Sequence, residues 1–300
     1  MKNLFLFIIT VCVIGISCKH QKSKKPKKSS IATETVKKIT DPKLELLWET
    51  DTVFKTPESC FFDEEHNVIY VSNINNAPRT KDNNGFISKL DLKGNVLEME
   101  WVDDLSAPKG MGFYHEVLYV TDIDAVVEIN AHTGMTIRRS TLEGALMLND
   151  ISVDEETGIV YVSDMDTGKV YTYFEGEFTL WKDGFNYPNG VLVDGDNLLV
   201  NSVEENTVTA FNKKTKEKVK LVSANVGRAD GVEKLNSGNY IVSDWRGEIN
   251  YILDGKPISL FNTLEDKKAQ TADIGLIKKE NIILVPTFFG NSVKAFKVIE

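Results

Sequence analysis

Six copies of one pattern run through most of the chain. Each copy opens with an apolar residue followed by a polar one, and the copies recur at intervals of about 40 to 50 residues. The six opening pairs are Pro57-Glu58, Pro108-Lys109, Leu148-Asn149, Pro188-Asn189, Ala229-Asp230 and Ala272-Asp273. Because a unit of this length cannot bury its own apolar face, the units must pack side by side.

Each unit also carries strand signals. An apolar run rich in β-branched and aromatic residues, such as Val68–Asn73 or Ile159–Asp164, is followed by segments of alternating character. The sixth unit ends one strand short at Glu300, whereas Leu44–Trp48 precedes the first unit and has no partner there. We therefore predict an all-β fold, a six-bladed β-propeller over residues 44–300 whose last blade is closed by the N-terminal strand.

The polar residues of the six opening pairs hold equivalent places in their units. We expect them to converge on the propeller axis at one face, where the loops between second and third strands form a rim. The first of these rim loops, residues 74–85, is the longest. The six converging residues are Glu58, Lys109, Asn149, Asn189, Asp230 and Asp273.

Glu58, Asn149, Asn189 and Asp230 offer only oxygen donors, with two negative charges. Such groups, brought together in a narrow and partly dry channel, are unfavourable neighbours unless a cation satisfies them. Ca²⁺ takes about six to eight oxygens, so these four leave places for water or a substrate oxygen. Zinc would recruit His or Cys, and no aligned position supplies either. The sequence therefore predicts a Ca²⁺ site.

Four motifs, in order and in blade register, resemble those of the senescence marker protein, gluconolactonase and diisopropyl fluorophosphatase family. The resemblance covers about residues 44–300 and implies that the same four residues bind a divalent metal, usually Ca²⁺. It also implies metal-assisted hydrolysis of a lactone or ester, with Asp230 as the catalytic residue that activates water. The motifs are Thr56-Pro57-Glu58-Ser59, Leu148-Asn149-Asp150, Pro188-Asn189-Gly190 and Ala229-Asp230-Gly231.

Lys109 departs from this family pattern because it places a cation where a ligand is expected. Three arrangements are open: Lys109 binds an anionic substrate, replaces the metal by pairing with Glu58 and Asp273, or extends into solvent. We favour the first and third over replacement of the metal, since two carboxylates and two amides suit a cation with several ligands.

Three further residues are candidates for substrate contact: Asp273, Trp245 and Phe288. Asp273 alternatively holds a second metal deeper in the channel, or lies in a salt bridge or among water molecules. The aromatic residues lie on the predicted rim and can stack on a substrate ring, although aromatic residues also pack between blades.

The N-terminal segment predicts export. Residues 1–17 contain an apolar run from Leu4 to Ile16, too short for a typical membrane span, and the run ends in Gly15-Ile16-Ser17-Cys18, which resembles a bacterial lipobox. We expect an exported bacterial lipoprotein, acylated at Cys18 and anchored to a membrane facing the periplasm or the cell exterior. An ordinary signal peptide or an uncleaved anchor is the alternative. Residues 18–43, rich in Lys and Ser, form a tether.

Charge separates the tether from the propeller. Nine of the 35 Lys and Arg residues, but one of the 44 acidic residues, lie in residues 1–38, so the remainder carries about −17. Nucleic acid is therefore not expected as a partner. With Cys12 removed in the signal and Cys18 acylated, Cys60 has no disulfide partner. We expect a monomer.

Three functions are compatible with these observations. The first is a Ca²⁺-dependent lactonase or esterase acting on a small molecule. The second is a non-catalytic, lipid-anchored propeller that binds a small ligand or a protein partner through its rim loops. The third is a metal-free propeller related to strictosidine synthase, which would leave the set of four ligands without a purpose.

Overall fold

The computed structural model describes residues 41–263 and 270–300. In that part the chain forms 24 strands and two 3₁₀ turns, Lys278–Glu280 and Phe288–Gly290. The predicted signal peptide, the lipidation site Cys18 and most of the predicted tether lie outside the described residues. Residues 41–263 and 270–300 include no helix that is long and apolar enough to cross a membrane.

The strands form six antiparallel sheets of four strands each. Blade 1 contains β2 Pro57–Asp63, β3 Val68–Asn73, β4 Gly85–Leu90 and β5 Val96–Leu105. Blade 2 contains β6 Pro108–Tyr114, β7 Val117–Asp122, β8 Ala125–Asn130 and β9 Thr136–Thr141. Blade 3 contains β10 Leu148–Asp154, β11 Ile159–Asp164, β12 Lys169–Phe174 and β13 Glu177–Lys182.

The other three blades repeat this order along the chain, and the last one takes its outer strand from the N-terminal end. Blade 4 contains β14 Pro188–Asp194, β15 Asn197–Ser202, β16 Thr207–Asn212 and β17 Lys218–Ala224. Blade 5 contains β18 Ala229–Lys234, β19 Tyr240–Asp244, β20 Glu248–Leu253 and β21 Lys256–Asn262. Blade 6 contains β22 Gly275–Ile277, β23 Ile282–Pro286, β24 Val293–Ile299 and β1 Lys43–Glu49.

The predicted ring closure is confirmed. Strand β1 lies antiparallel to β24, with Leu44 opposite Val298 and Trp48 opposite Ala295. The predicted second strands are also confirmed, since β3 and β11 coincide with the predicted segments Val68–Asn73 and Ile159–Asp164. Closing the ring in this way gives the last blade its fourth strand.

The core lies between neighbouring blades. In the cluster between blades 1 and 2, Tyr70 and Ile87 pack with Leu118 and Val120, and all four side chains are fully buried. The first strands β2, β6, β10, β14, β18 and β22 contact one another in sequence around the axis. These innermost strands therefore carry the residues that can meet at the centre of the propeller.

Candidate functional site

A β-bulge at the start of each of the first five innermost strands places one polar residue at the axis. In β2 the register shifts between Pro57 and Cys60, which leaves Glu58 and Ser59 in the bulge. The same shift occurs at the start of β6, β10, β14 and β18. A bulge takes a side chain out of the usual alternation and re-aims it. The residues equivalent to Glu58 are Lys109, Asn149, Asn189 and Asp230.

Close contact between innermost strands positions Asp230. A Cβ atom on Gly190 would lie 2.0 Å from the Asp230 carbonyl oxygen, so only glycine allows this approach. The Asn201 side-chain Nδ2 donates to the same carbonyl at 2.6 Å. We did not single out Asn201 from the sequence, although its place in the repeat was a usable signal. The equivalent residues of the other second strands in blades 1, 2, 3 and 5 are Ser72, Thr121, Ser163 and Ser243.

Three oxygen atoms of the predicted ligand set are buried and accept no hydrogen bond in the described part of the chain. They are Glu58 Oε2, Asn189 Oδ1 and Asp230 Oδ1. Their residues are 5%, 6% and 2% exposed, respectively. Asn149, the fourth predicted ligand, is 4% exposed. Buried acceptors are normally satisfied, so three on different blades at one axis point to a missing electropositive partner.

The surroundings of Glu58 and Asp230, the two carboxylates of this set, raise the pKa of both. Burial, followed by the charges of Asp230 and Asp273, raises the pKa of Glu58 well above its ordinary value, and Lys109 opposes this shift. Burial and the charge of Asp273 likewise raise the pKa of Asp230, against a hydrogen bond from Asn189. Without a cation, the surroundings of both carboxylates would therefore disfavour their ionised forms.

The residues at this end of the axis fit a hard divalent cation. The four side chains supply carboxylate and amide oxygens, which Ca²⁺ prefers, and three of those oxygens lack other partners. No group of three or more His, Cys, Asp or Glu side chains suited to a metal occurs in residues 41–263 and 270–300. A cation here would consequently need the two amide oxygens as ligands in addition to the carboxylates. Zinc is a poor fit, because it usually takes Cys and His ligands.

Lys109 lies inside the protein, so the expectation that it extends into solvent is wrong. It is 1% exposed, and its Nζ donates to the Ala107 carbonyl oxygen at 2.9 Å. No carboxylate oxygen of the described residues lies within the 4.0 Å ion-pair distance of Nζ. Replacement of the metal by pairing with Glu58 and Asp273 is therefore wrong as well. Burial lowers the pKa of Lys109 to about 8, and Glu58 is the main opposing charge.

Asp273 faces a separate cavity at the other end of the axis. Its Oδ2 accepts a hydrogen bond from Ser59 Oγ at 2.6 Å, and burial raises its pKa to about 7 against that hydrogen bond. The cavity has a volume of about 880 Å³, and its wall includes Asp150, Glu233 and the turn at residues 63–65. Since that turn joins a first strand to a second strand, the cavity opens on the face opposite the rim.

The prediction that all six polar residues share one site is therefore corrected for Asp273. A Cβ atom on Gly231 would lie 2.4 Å from Asp273 Oδ1, so the Asp273 carboxylate occupies the space that this glycine leaves free. The four predicted ligands do not line the cavity. A substrate bound at Asp273 would have to enter from the face opposite the rim.

Glu233, in the same cavity, predicts an unusual dependence of stability on pH. Burial, followed by the charge of Asp273, raises the pKa of Glu233 from 4.5 to about 8. The folded protein thus holds this proton more tightly than the unfolded chain does, so the contribution of Glu233 to stability is greatest below about pH 4.5 and falls until about pH 8. We expect Glu233→Gln to remove on the order of 2 kcal/mol of this loss, after allowance for partial exposure.

The measurement is chemical unfolding in a chelator at pH 5 and pH 8. The decrease in unfolding free energy between the two should be smaller in Glu233→Gln than in the unchanged protein. Glu155→Gln, which alters an exposed carboxylate on the same cavity wall, is the control and should behave like the unchanged protein. An equal decrease in all three proteins would contradict the assignment.

The two aromatic candidates, Phe288 and Trp245, pack among the rim loops. Phe288 is 6% exposed and belongs to an apolar cluster with Ile74, Ala107 and Ile123. Trp245 packs edge-on against Phe288 with ring centroids 5.8 Å apart and is partly exposed. Packing between loops therefore accounts for Phe288, while Trp245 still presents part of its ring to solvent.

Comparison with solved structures identifies the fold. A streptogramin B lyase structure has a TM-score of 0.61 at 12% identity, over 86% of this chain and 98% of that chain. A catalytically inactive virginiamycin B lyase from Staphylococcus aureus with quinupristin has a TM-score of 0.58 at 14% identity, over 86% and 100%. The chain is a six-bladed β-propeller.

A selenomethionine form of the Staphylococcus aureus virginiamycin B lyase is similar to the same extent, with a TM-score of 0.59 at 13% identity over 86% of this chain and 100% of that chain. At this level of identity the likeness concerns the fold alone. No protein-family model and no curated protein matches the propeller chain. Membership of the gluconolactonase-like family stays a prediction.

Proposed function

We propose that this propeller is a Ca²⁺-dependent hydrolase of lactones or esters. The observation that supports the proposal is the set of three buried, unpartnered oxygens on Glu58, Asn189 and Asp230, three different blades meeting at one end of the axis. Together with Asn149, these residues would hold the cation. Bound there, it supplies Lewis-acid polarisation of the substrate carbonyl.

Asp230 is the residue that we assign to proton transfer. Its Oδ1 has no hydrogen-bond partner, so it can accept a proton from a water molecule while the water oxygen bonds to the carbonyl carbon. The proton then passes to the leaving oxygen as the ester bond breaks. Gly190 and Asn201 hold the Asp230 backbone and thereby keep the carboxylate in place.

Export, acylation at Cys18, membrane anchoring and the monomeric state belong to the same proposal. They rest on the N-terminal sequence and the charge distribution described above. A lipid-anchored hydrolase would meet small extracellular substrates rather than nucleic acid, as the excess of acidic residues in residues 39–300 favours.

The test combines a calcium titration with hydrolysis of D-glucono-δ-lactone and of 4-nitrophenyl acetate. We expect about one equivalent of Ca²⁺ to bind, and we expect hydrolysis to stop with a chelator and return with added Ca²⁺. Hydrolysis that ignores chelation would contradict the metal's role. Calcium binding without any turnover would favour the non-catalytic propeller instead.

A further inference from the structure

The long loop of blade 1, residues 74–84 between β3 and β4, crosses the face that carries the rim loops. We call this loop the strap. Its Arg79 forms an ion pair with Asp166 in the β11–β12 loop of blade 3, and its Lys81 pairs with Asp124 in the β7–β8 loop of blade 2. The strap therefore reaches past blade 2 to blade 3, above the end of the axis that holds the predicted ligands.

Lys109 is a buried cation whose charge is incompletely satisfied. An ammonium group carries three donors, and the single hydrogen bond of Nζ within the described part of the chain goes to the Ala107 carbonyl. A fully buried cation without a counterion costs several kcal/mol in general. Since Glu58 acts on the Lys109 pKa yet lies outside ion-pair distance, the missing counterion is not supplied by the predicted ligands.

Arg79 and Asp166 are close enough to Lys109 to act on it electrostatically. Arg79 lowers the pKa of Lys109 and Asp166 raises it. Asp166 uses one carboxylate oxygen for Arg79, while its Oδ1 is buried and without a partner. Of the other carboxylates that raise the pKa of Lys109, Asp122 pairs with Arg139 and Asp166 pairs with Arg79. Lys109 therefore has no carboxylate partner of its own.

We propose that an anionic group of the substrate, a carboxylate or phosphate, binds between Lys109 and Arg79. In the absence of substrate, Asp166 holds Arg79 in an ion pair. The part that concerns a substrate rests on the proposed hydrolase function; anion binding itself does not. The substrate class is then a lactone or ester that carries a negative charge away from the scissile carbonyl.

The charge layout supports this orientation. The two carboxylates of the ligand set lie on blades 1 and 5, whereas Lys109 lies on blade 2 under the strap. A substrate can therefore place its carbonyl near Asp230 and its anionic end near Lys109, where the anion meets a group of opposite charge. A neutral ester of the same length would leave the Lys109 charge buried and unpaired.

The experiment compares monomethyl succinate with dimethyl succinate, two esters of one skeleton that differ by a negative charge. Binding to the Ca²⁺-loaded protein is measured by calorimetry, and hydrolysis is followed separately. We expect monomethyl succinate to bind at least about tenfold more tightly. Lys109→Met should abolish the preference and Arg79→Gln should weaken it.

Two further variants sharpen the test. Asp166→Asn frees Arg79 and should strengthen the preference, the opposite sign from Arg79→Gln. Lys81→Gln breaks the other strap ion pair and is the matched control, with the preference retained. If Lys109→Met fails to fold, the Arg79 and Asp166 variants still decide, because the Arg79 side chain is exposed and that of Asp166 is partly exposed.

Failure of the proposed anion site and failure of the proposed hydrolase are distinguishable. Equal binding of the two esters by the unchanged protein, or an intact preference in both Lys109→Met and Arg79→Gln, overturns the anion site even if both esters are hydrolysed. A preference for the anion without hydrolysis supports the anion site and contradicts the proposed enzyme.

Discussion

Replacing Asp230 with asparagine is expected to lower kcat/KM for ester hydrolysis by about two to four orders of magnitude without unfolding the propeller. The variant removes the proton acceptor and one of the two negative charges in the ligand set. Its fold should survive because the Asp230 backbone carbonyl keeps its hydrogen bond from Asn201 at 2.6 Å. Loss of a buried carboxylate whose pKa is raised by burial and by Asp273 also removes a source of instability.

The matched control is Asp273→Asn, since Asp273 is another carboxylate near the axis whose pKa is raised by burial, but it faces the cavity opposite the rim. We expect it to change kcat/KM less than about tenfold, because it acts on Asp230 only through space. The measurements are steady-state hydrolysis, calcium affinity and thermal unfolding of both variants. Full turnover in Asp230→Asn, or an equal loss in both variants, would contradict the assignment of the base.

Replacing Gly190 with alanine is expected to destabilise the protein by about 3 kcal/mol or more. The added Cβ would lie 2.0 Å from the Asp230 carbonyl oxygen and 2.5 Å from Asn201 Nδ2. Backbone atoms cannot rotate away as a side chain can, so the strands β14 and β18 must separate. That separation should weaken calcium binding too, because Asn189 and Asp230 lie on these two strands.

Gly195→Ala is the control for the backbone effect of alanine. Gly195 has a φ of 58° and no atom within 4 Å of an added Cβ, so this variant should cost only about 1 kcal/mol. Thermal unfolding with and without Ca²⁺ distinguishes the two. Equal losses of stability, or normal calcium affinity in a folded Gly190→Ala protein, would show that close strand contact does not position the site.

Gly190 also shows how a sequence motif can have a different cause from the expected one. Asn-Gly pairs commonly form turns, because glycine accepts a positive φ. In this propeller Asn189-Gly190 lies in the bulge of β14, and the glycine is required by the neighbouring strand. The motif was therefore a sound marker of the site, while its physical reason came from packing between two blades.

The architecture could be predicted because its determinants are local and repeated. The apolar second strands, such as Val68–Asn73, recur with a fixed spacing, and each buries its side chains against the next blade in the same way. The partner of Leu44–Trp48 followed from counting, since the sixth unit lacked one strand. Alignment of the repeats also located Glu58, Asn149, Asn189 and Asp230 in equivalent bulges.

What the repeat could not reveal is where an equivalent residue directs its side chain. Lys109 shares the bulge position with Asp230, yet it is buried beside Ala107. The Ser243 hydroxyl donates to the Ala272 carbonyl as Asn201 donates to the Asp230 carbonyl, so Asp273 lies one residue beyond the equivalent position and turns toward Ser59 and the cavity opposite the rim. Those directions depend on residues of other blades, among them Gly231. The ion pair of Arg79 with Asp166 likewise joins loops 87 residues apart.

The sequence alone thus determined the number of blades, the closure of the ring and the residues that reach the axis, because hydrophobic periodicity and spacing along one chain specify them. Only the tertiary structure decided which side chains share a site, which are buried without partners, and where a positive charge lacks a counterion. The reason is physical: burial, desolvation and charge pairing are properties of atoms brought together from different blades.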